Sequence, residues 1–273
     1  MSTSVYPIEI GAIRGRVLLD GVQVVSADDL ARIFPDDNQR IRAASPDEAL
    51  SLSGNVLFLE TAGKRILVDT GIGNLMPDLP GQMQTRLRET GVEPESIDTV
   101  ILSHFHMDHI GGLLGADGQA AFPHARLVAS RMEYDHWMRE DLLATLDEVR
   151  AGRLRQTFAA YPRLDLVEGQ AEVEPGVSLL PAPGHTPGHC AIWIESEGAH
   201  LLHVVDSWHC AAQVQLPDAR PIFDVQPELA TSTHRDLLAR AEAESLRLLT
   251  YHLAFPGLGH IQRQGEHTVW LPA

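Results

Sequence analysis

The sequence predicts an α/β fold (α+β in some schemes), which we expect to form a single domain over residues 1–273. Apolar, β-branched runs of strand length alternate with longer stretches that have helical periodicity. A cluster of histidine and aspartate side chains directly follows one of the apolar runs, at His104–His109. A length of 273 residues is ample for a packed core.

Each predicted element has its own local signal. Gly63 marks a hairpin turn between two short strands, and Gly91 ends a charged helix. Hydroxyl side chains at 231–233 are N-cap candidates for a later helix. The predicted strands are 55–60, 65–69, 98–102, 126–130, 177–180, 190–194, 200–205 and 247–251. The predicted helices are 82–90, 131–153 as one or two helices, and 234–242.

The segment before residue 55 is mixed in character. It contains one run typical of a strand, at 16–19, and a loop rich in proline and aspartate at 34–38. We therefore expect residues 1–54 to form an N-terminal extension, with a subunit contact or a flap over the site as its candidate roles.

Three imidazoles and one carboxylate fall within six residues, at His104, His106, Asp108 and His109. Imidazole nitrogen and carboxylate oxygen suit Zn²⁺ and related divalent ions. Two glycines follow at 111–112 and allow close backbone approach beneath such a site. This pattern predicts a metal site where a strand ends and a loop begins.

His104-x-His106-x-Asp108-His109 resembles the signature of the metallo-β-lactamase fold superfamily. The resemblance implies a four-layer αββα sandwich that holds two divalent ions, with zinc expected and manganese, cobalt or iron as alternatives. It also implies a complete ligand set. That set is His104, His106 and His185 at one metal, Asp108, His109 and His252 at the other, and Asp206 between them.

Further positions match the superfamily. His185 lies in the loop Gly184-His185-Thr186-Pro187-Gly188-His189, in which His189 is expected to be structural. Asp69, in Asp69-Thr70-Gly71, is expected to orient a histidine ligand. Val205 stands where the superfamily usually has glycine, before the bridging carboxylate.

The implied activity is hydrolysis of a carboxylic ester or lactone, of the acyl-homoserine-lactone kind, by a hydroxide that bridges the two metals. The sequence is most similar to methyl parathion hydrolase-like phosphotriesterases and N-acyl-homoserine lactonases. We expect Asp108, Asp206 and His209 to be catalytic; His209 replaces the tyrosine of typical lactonases and can donate the same hydrogen bond. The alternatives are a phosphotriesterase and a sulfur dioxygenase with a single iron.

Aromatic side chains that would contact a substrate are few. Trp137, Trp208 and Phe255 are the candidates, and core packing is the alternative for each. Cys190 and Cys210 are interpreted as small buried residues rather than metal ligands.

The net charge of −16 argues against nucleic acid as a partner. No apolar run is long enough for a membrane span, and the first residues do not have the pattern of a secretory signal. We therefore expect a cytoplasmic protein with a small-molecule ester, lactone or phosphotriester as its partner, and a homodimer as one possible assembly.

Overall fold

The computed structural model describes residues 4–45, 50–76, 79–265 and 267–273, and its strands form two seven-stranded sheets. The first sheet contains, in spatial order, β1 (Val5–Ile10), β2 (Ile13–Val24), β3 (Ser51–Thr61), β4 (Lys64–Val68), β5 (Thr99–Leu102), β6 (Arg126–Ser130) and β7 (Leu164–Val167). The second contains β8 (Ala171–Glu174), β9 (Val177–Pro181), β10 (Cys190–Ser196), β11 (Ala199–Val205), β12 (Leu248–Thr250), β13 (Leu258–Gln264) and β14 (His267–Pro272), which neighbour one another in the same sequence.

The helices are α1 (Ala27–Ile33), α2 (Asn38–Ala44), α3 (Met83–Glu89), α4 (Met107–Ile110), α5 (Arg131–Trp137), α6 (Glu140–Leu143), α7 (Glu148–Ala160), α8 (Ala212–Gln215) and α9 (Pro227–Ala243). Two 3₁₀ turns, Pro94–Ser96 and Gly111–Leu113, complete the set among the described residues. No helix there is both long and apolar enough to cross a membrane.

The main core lies between the two sheets. Leu57 and Ile101 of the first sheet and Ile192 and Leu249 of the second are fully buried in one cluster. Helix α7 contributes to the same cluster, while α9 covers the opposite face of the second sheet through Leu237. Helices therefore flank both sheets, and the predicted αββα order is confirmed.

Each sheet contains parallel strands. β4, β5, β6 and β7 pair in parallel in the first sheet, and β11 pairs with β12 in parallel in the second. The carboxyl ends of parallel neighbours lie at the same edge of a sheet, where α/β folds place their ligands. Asp69, Ser103, Asp206 and Tyr251 each follow one of these ends, and this edge therefore gathers the side chains of the candidate site.

Two predictions about helices are wrong. The stretch 131–153, expected as one or two helices, contributes to three, α5 to α7, because Asp147 accepts a hydrogen bond from the Arg150 amide and starts a new helix. Helix α9 begins at Pro227 rather than after the hydroxyl run at 231–233. Thr231 instead donates to the Pro227 carbonyl from within the helix, at 3.0 Å.

The segment before residue 55 supplies strands to the first sheet. β1 pairs with β2, which pairs with β3, and Ile10 and Leu18 are buried in the main core. Residues 1–3 and 46–49 of this segment lie outside the described residues. Its expected subunit contact, the single-domain boundary, the homodimer and the cytoplasmic location stay predictions.

Asn55 joins the two sheets above the core. Its side chain is fully buried, and its Nδ2 donates to the carbonyl oxygens of Thr250 (3.2 Å) and Leu253 (2.7 Å). Backbone hydrogen bonds run alongside, from Ser53 N to His252 O and from Asn55 N to Tyr251 O. The end of β12 is thus tied to β3 by side chain and main chain together.

Asn55→Ala should lower the free energy of unfolding by about 2–3 kcal/mol, because two buried carbonyl oxygens lose their donor. Urea denaturation followed by circular dichroism measures the change. Asn38→Ala is the matched control: its amide donates to Pro35 O at an exposed site, and its loss should stay within about 0.5 kcal/mol. Equal losses in the two variants would contradict this role for Asn55.

Candidate metal centre

The seven side chains that the sequence predicts as metal ligands lie together at the edge described above. The loop after β5 and the start of α4 provide His104, His106, Asp108 and His109. The loop between β9 and β10 provides His185, and the ends of β11 and β12 lead to Asp206 and His252.

These side chains form two groups whose potential ligand atoms lie within 4.8 Å of one another. One group is His104, His106, His185 and Asp206; the other is Asp108, His109 and His252. The Asp206 carboxylate adjoins both groups, with Oδ1 3.3 Å from His109 Nε2 and Oδ2 3.4 Å from His185 Nε2. A third group, Asp206, His209 and His252, overlaps these two.

Four imidazoles are held through the nitrogen that faces away from the cluster, Nδ1. The partners are Ser103 Oγ for His104 (3.0 Å), Asp69 Oδ2 for His109 (2.8 Å), Asp224 Oδ1 for His185 (3.0 Å) and the Ser53 carbonyl oxygen for His252 (3.0 Å). Such partners fix the ring orientation and leave Nε2 directed at the centre of the cluster.

Asp69, predicted to orient a histidine, is fully buried between the loop and β5. Besides contacting His109, its carboxylate accepts hydrogen bonds from the Ser103 amide (2.8 Å) and the Ser103 hydroxyl (2.7 Å). The Asp69 side chain therefore touches both ends of the histidine-rich loop.

Several buried polar atoms in the cluster have no hydrogen-bond partner among the described residues. They include Nε2 of His104, Nε2 of His109 and Oδ1 of Asp206. Buried polar atoms are nearly always paired, and lone-pair donors that converge without partners fit bound cations. The donor set therefore suits divalent metal ions.

Burial keeps most of these imidazoles neutral. It lowers the pKa of His106 to about 4 and holds the pKa values of His104 and His185 well below their usual range. Neutral rings present the lone pairs that a metal requires.

At Asp206 and His109, neighbouring charges outweigh the effect of burial on the pKa. Burial alone would raise the pKa of Asp206, but the imidazoles of His109 and His252 hold it well below its usual range. Burial opposes protonation of His109, yet Asp206, Asp108 and Asp69 together raise its pKa well above normal. The same negative field attracts a metal cation.

Val205 directly precedes Asp206 and has a φ of +52°. This left-handed conformation favours glycine and costs a β-branched residue about 1–3 kcal/mol. The Val205 side chain is fully buried in the main core, which holds the backbone in place. The departure from the superfamily's glycine thus leaves the Asp206 carboxylate in the cluster.

A cavity of about 640 Å³ opens above the donor groups. Its floor includes Asp108, Asp206 and His252, while residues 20–23 of β2 form part of one wall. The Asp20 carboxylate stiffens that wall by accepting hydrogen bonds from the amides of Ile72 (2.9 Å) and Met83 (2.8 Å). Much of the remaining lining is apolar, including Leu146, Leu154 and Phe223.

His209 lines the cavity beside the donor groups. Its ring stacks on His252 with a centroid distance of 5.1 Å, and its backbone amide donates to Gln213 Oε1 at 2.7 Å. Neither ring nitrogen has a hydrogen-bond partner among the described residues. Burial lowers the pKa of His209 to about 3, so the ring is neutral and carries one N–H.

Only one of the three predicted substrate-pocket aromatics lines the cavity, namely Trp137. Trp208 is fully buried in the cluster between the second sheet and α9, and Phe255 packs against the main core. These two predictions are wrong because the packing alternative applies to both side chains.

Three other side chains behave as structural residues. His189, expected to be structural, has its Nδ1 2.9 Å from the Ala182 carbonyl oxygen. Cys190 and Cys210 are buried, and neither belongs to a donor group among the described residues.

Sequence reasoning missed three residues around the cluster. Tyr251 donates its hydroxyl to the Asp108 carbonyl oxygen (2.6 Å) and lies 4.0 Å from the His109 ring, centroid to centroid. Asp224 contacts His185, and Glu133 is buried beside the histidine-rich loop. No local pattern marks Asp224 or Glu133, because their partners are distant in sequence. Tyr251 precedes a predicted ligand, and that was the only available signal.

Comparison with known proteins identifies relatives of this chain. Residues 51–252 match the model of the Metallo-beta-lactamase superfamily. The N-acyl homoserine lactonase of Bacillus thuringiensis is 30% identical over 227 residues, which cover 76% of this chain and 83% of the relative. A probable metallo-hydrolase of Mycobacterium tuberculosis is 29% identical over 190 residues, covering 59% and 58% of the two chains.

Solved structures agree with this assignment. AidC, described as a dizinc quorum-quenching lactonase in complex with its product, superposes with a TM-score of 0.89 at 25% identity, covering 99% of this chain and 97% of AidC. The hydrolase AbOPH has the same TM-score at 24% identity, covers 100% and 98% of the two chains, and so shares the fold. The chain belongs to the metallo-beta-lactamase superfamily.

Proposed function

We propose that this protein is a metal-dependent hydrolase that opens the lactone ring of N-acyl homoserine lactones. The observation that carries the proposal is the position of two donor groups, on either side of Asp206, at the floor of a largely apolar cavity. The lactonase relatives support the choice of substrate.

In this proposal the cluster would hold two divalent ions, zinc by analogy with AidC. His104, His106 and His185 would hold one and Asp108, His109 and His252 the other, while the Asp206 carboxylate adjoins both sets of side chains. When bound, such ions ionise water near neutral pH and polarise a carbonyl oxygen. A single-iron dioxygenase would leave the group of Asp108, His109 and His252 without a role.

Asp108 is suited to proton transfer. Its side chain is 39% exposed, it lines the cavity, and its Oδ2 lies 3.5 Å from His252 Nε2. Hydrolysis adds the hydroxyl of water to the acyl carbon and gives the remaining proton to the ring oxygen. We assign that transfer to the Asp108 carboxylate, which takes the proton at an oxygen and passes it to the leaving alkoxide.

His209 is suited to binding the substrate carbonyl. It is the neutral imidazole of the cavity whose two ring nitrogens both lack partners in the described chain, so its N–H is available to a ligand. A donor directed at a developing oxyanion in a water-poor site stabilises the transition state. The acyl chain would lie against Trp137, Leu154 and Phe223.

Asp206→Ala should lower the metal content of the purified protein from two ions toward one and reduce lactone turnover by at least about 100-fold. The carboxylate adjoins both donor groups, so both readouts should fall together. Elemental analysis and steady-state kinetics measure them. Asp236→Ala, on the exposed face of α9, is the control; unchanged metal content in Asp206→Ala would rule out the bridging assignment.

His209→Phe should lower kcat/KM by about 100-fold without changing metal content, because one hydrogen-bond donor to the carbonyl is lost. His209→Gln keeps an N–H and should retain more of the activity. Initial rates at several lactone concentrations test both variants. An equal loss in Phe and Gln variants would show that hydrogen bonding by His209 does not contribute.

Substrate class is tested with an N-acyl homoserine lactone, an aryl ester, a phosphotriester and glutathione persulfide, assayed on one protein preparation of known metal content. We expect the highest kcat/KM for the lactone, with two zinc, manganese or cobalt ions per chain. A higher value for the phosphotriester would favour the methyl parathion hydrolase-like alternative. One iron per chain with oxygen consumption would favour the dioxygenase.

A further inference from the structure

Glu133 is a fully buried carboxylate in α5, the helix that begins directly after β6. Glutamate is almost never fully buried unless it is paired, because desolvation of its charge is costly. The site proposed above gives Glu133 no role, so its hydrogen bonds need an explanation of their own.

Both carboxylate oxygens of Glu133 are fully engaged. Oε1 accepts hydrogen bonds from the Phe105 amide (2.9 Å) and from Trp137 Nε1 (2.7 Å). Oε2 accepts from the Thr186 hydroxyl (2.7 Å) and from the Gly188 amide (2.9 Å). One oxygen therefore contacts the histidine-rich loop, and the other contacts the loop between β9 and β10.

These two loops carry the three imidazoles of one donor group. Phe105 lies between His104 and His106, and Thr186 directly follows His185. The loops are about 80 residues apart in sequence, yet His185 Nε2 lies 2.9 Å from His106 Nδ1. Each loop donates short, charge-assisted hydrogen bonds to a different oxygen of the Glu133 carboxylate. These bonds fix the distance between the two loops.

Gly188 gives independent support for this close contact. A Cβ atom at this position would lie 2.1 Å from Glu133 N and 2.5 Å from Glu133 Cα, both backbone atoms of α5. Only glycine lets the loop approach the helix so closely. The backbone and the side chain of Glu133 thus hold the same loop.

We propose that Glu133 is a positioning residue of the metal centre, which sets the distance between the His104–His106 pair and His185. This inference rests on the proposed function. The carboxylate acts through the Phe105 and Gly188 amides and the Thr186 hydroxyl. A shift of the loop between β9 and β10 would misplace His185 while leaving Asp108, His109 and His252 in place.

The test compares Glu133→Ala and Gly188→Ala with one control. Asp135→Asn changes an exposed carboxylate on the same helix. Each purified protein is stripped of metal, titrated with zinc in competition with a chelator, and checked for folding by circular dichroism.

We expect Glu133→Ala and Gly188→Ala to bind one of the two ions about 10- to 100-fold more weakly, with the other ion little changed, as for loss of a residue that orients metal ligands. Asp135→Asn should bind both ions as the unaltered protein does. General destabilisation would lower the melting temperature without this selective loss. If Glu133→Ala does not fold, Glu133→Gln, which keeps one acceptor oxygen, should show a smaller selective loss.

If Glu133→Ala binds both zinc ions with the affinities of the unaltered protein, the positioning role is wrong and the proposed metal centre still stands. If Glu133→Ala does not fold, the same result in Glu133→Gln has the same meaning. An unaltered protein that binds fewer than two ions would overturn the proposed metal centre, and the positioning role with it. The two failures are therefore distinguishable.

Discussion

A single buried carboxylate, Asp206, imposes the main constraint on this structure. It is 2% exposed and lies 3.0 Å from His252 Nε2 and 3.3 Å from His109 Nε2. An anion in the interior is costly unless positive charge or hydrogen bonds compensate for it. The surrounding imidazoles compensate in part, and His104 Nε2 and Asp206 Oδ1 are still left without partners in the described residues. The interior of the protein is thus suited to cations, and the fold must bring together ligands from several strand ends.

The topology meets this demand with parallel strands. Asp69 follows β4, Ser103 follows β5 and Asp206 follows β11, so the chain reaches one edge repeatedly without crossing the core. Connections then fix the loops: Asn55 holds the end of β12, and Glu133 joins two loops that are distant in sequence. Loops normally tolerate movement, but these are restrained by buried hydrogen bonds. Rigidity at this edge comes from polar contacts, whereas apolar packing holds the sheets together below it.

The sequence predicted the parts of the site that short patterns encode. The run His104–His109 identified the histidine-rich loop, and strand ends located Asp206 and His252. Residues whose partners are remote had no such signal. Apart from Trp137, the partners of Glu133 are 28 to 55 positions away, and nothing around it in the chain distinguishes it from a surface glutamate. Trp208 was misjudged because local sequence does not determine on which side of a turn a side chain packs. Strands β7 and β8 were missed because each is only four residues long and partly exposed.

Part of one cavity wall lies outside the matched family region, whereas the floor of the cavity lies inside it. Residues 20–23 of β2 face the ligand space, whereas the matched family region begins at residue 51 and contains all the proposed metal-binding side chains. One stretch of the cavity wall can therefore vary independently of the side chains proposed to hold the ions. Substitutions at residues 20–23 can change the shape of that wall, whereas the matched region supplies the proposed ligands and the other lining residues named above.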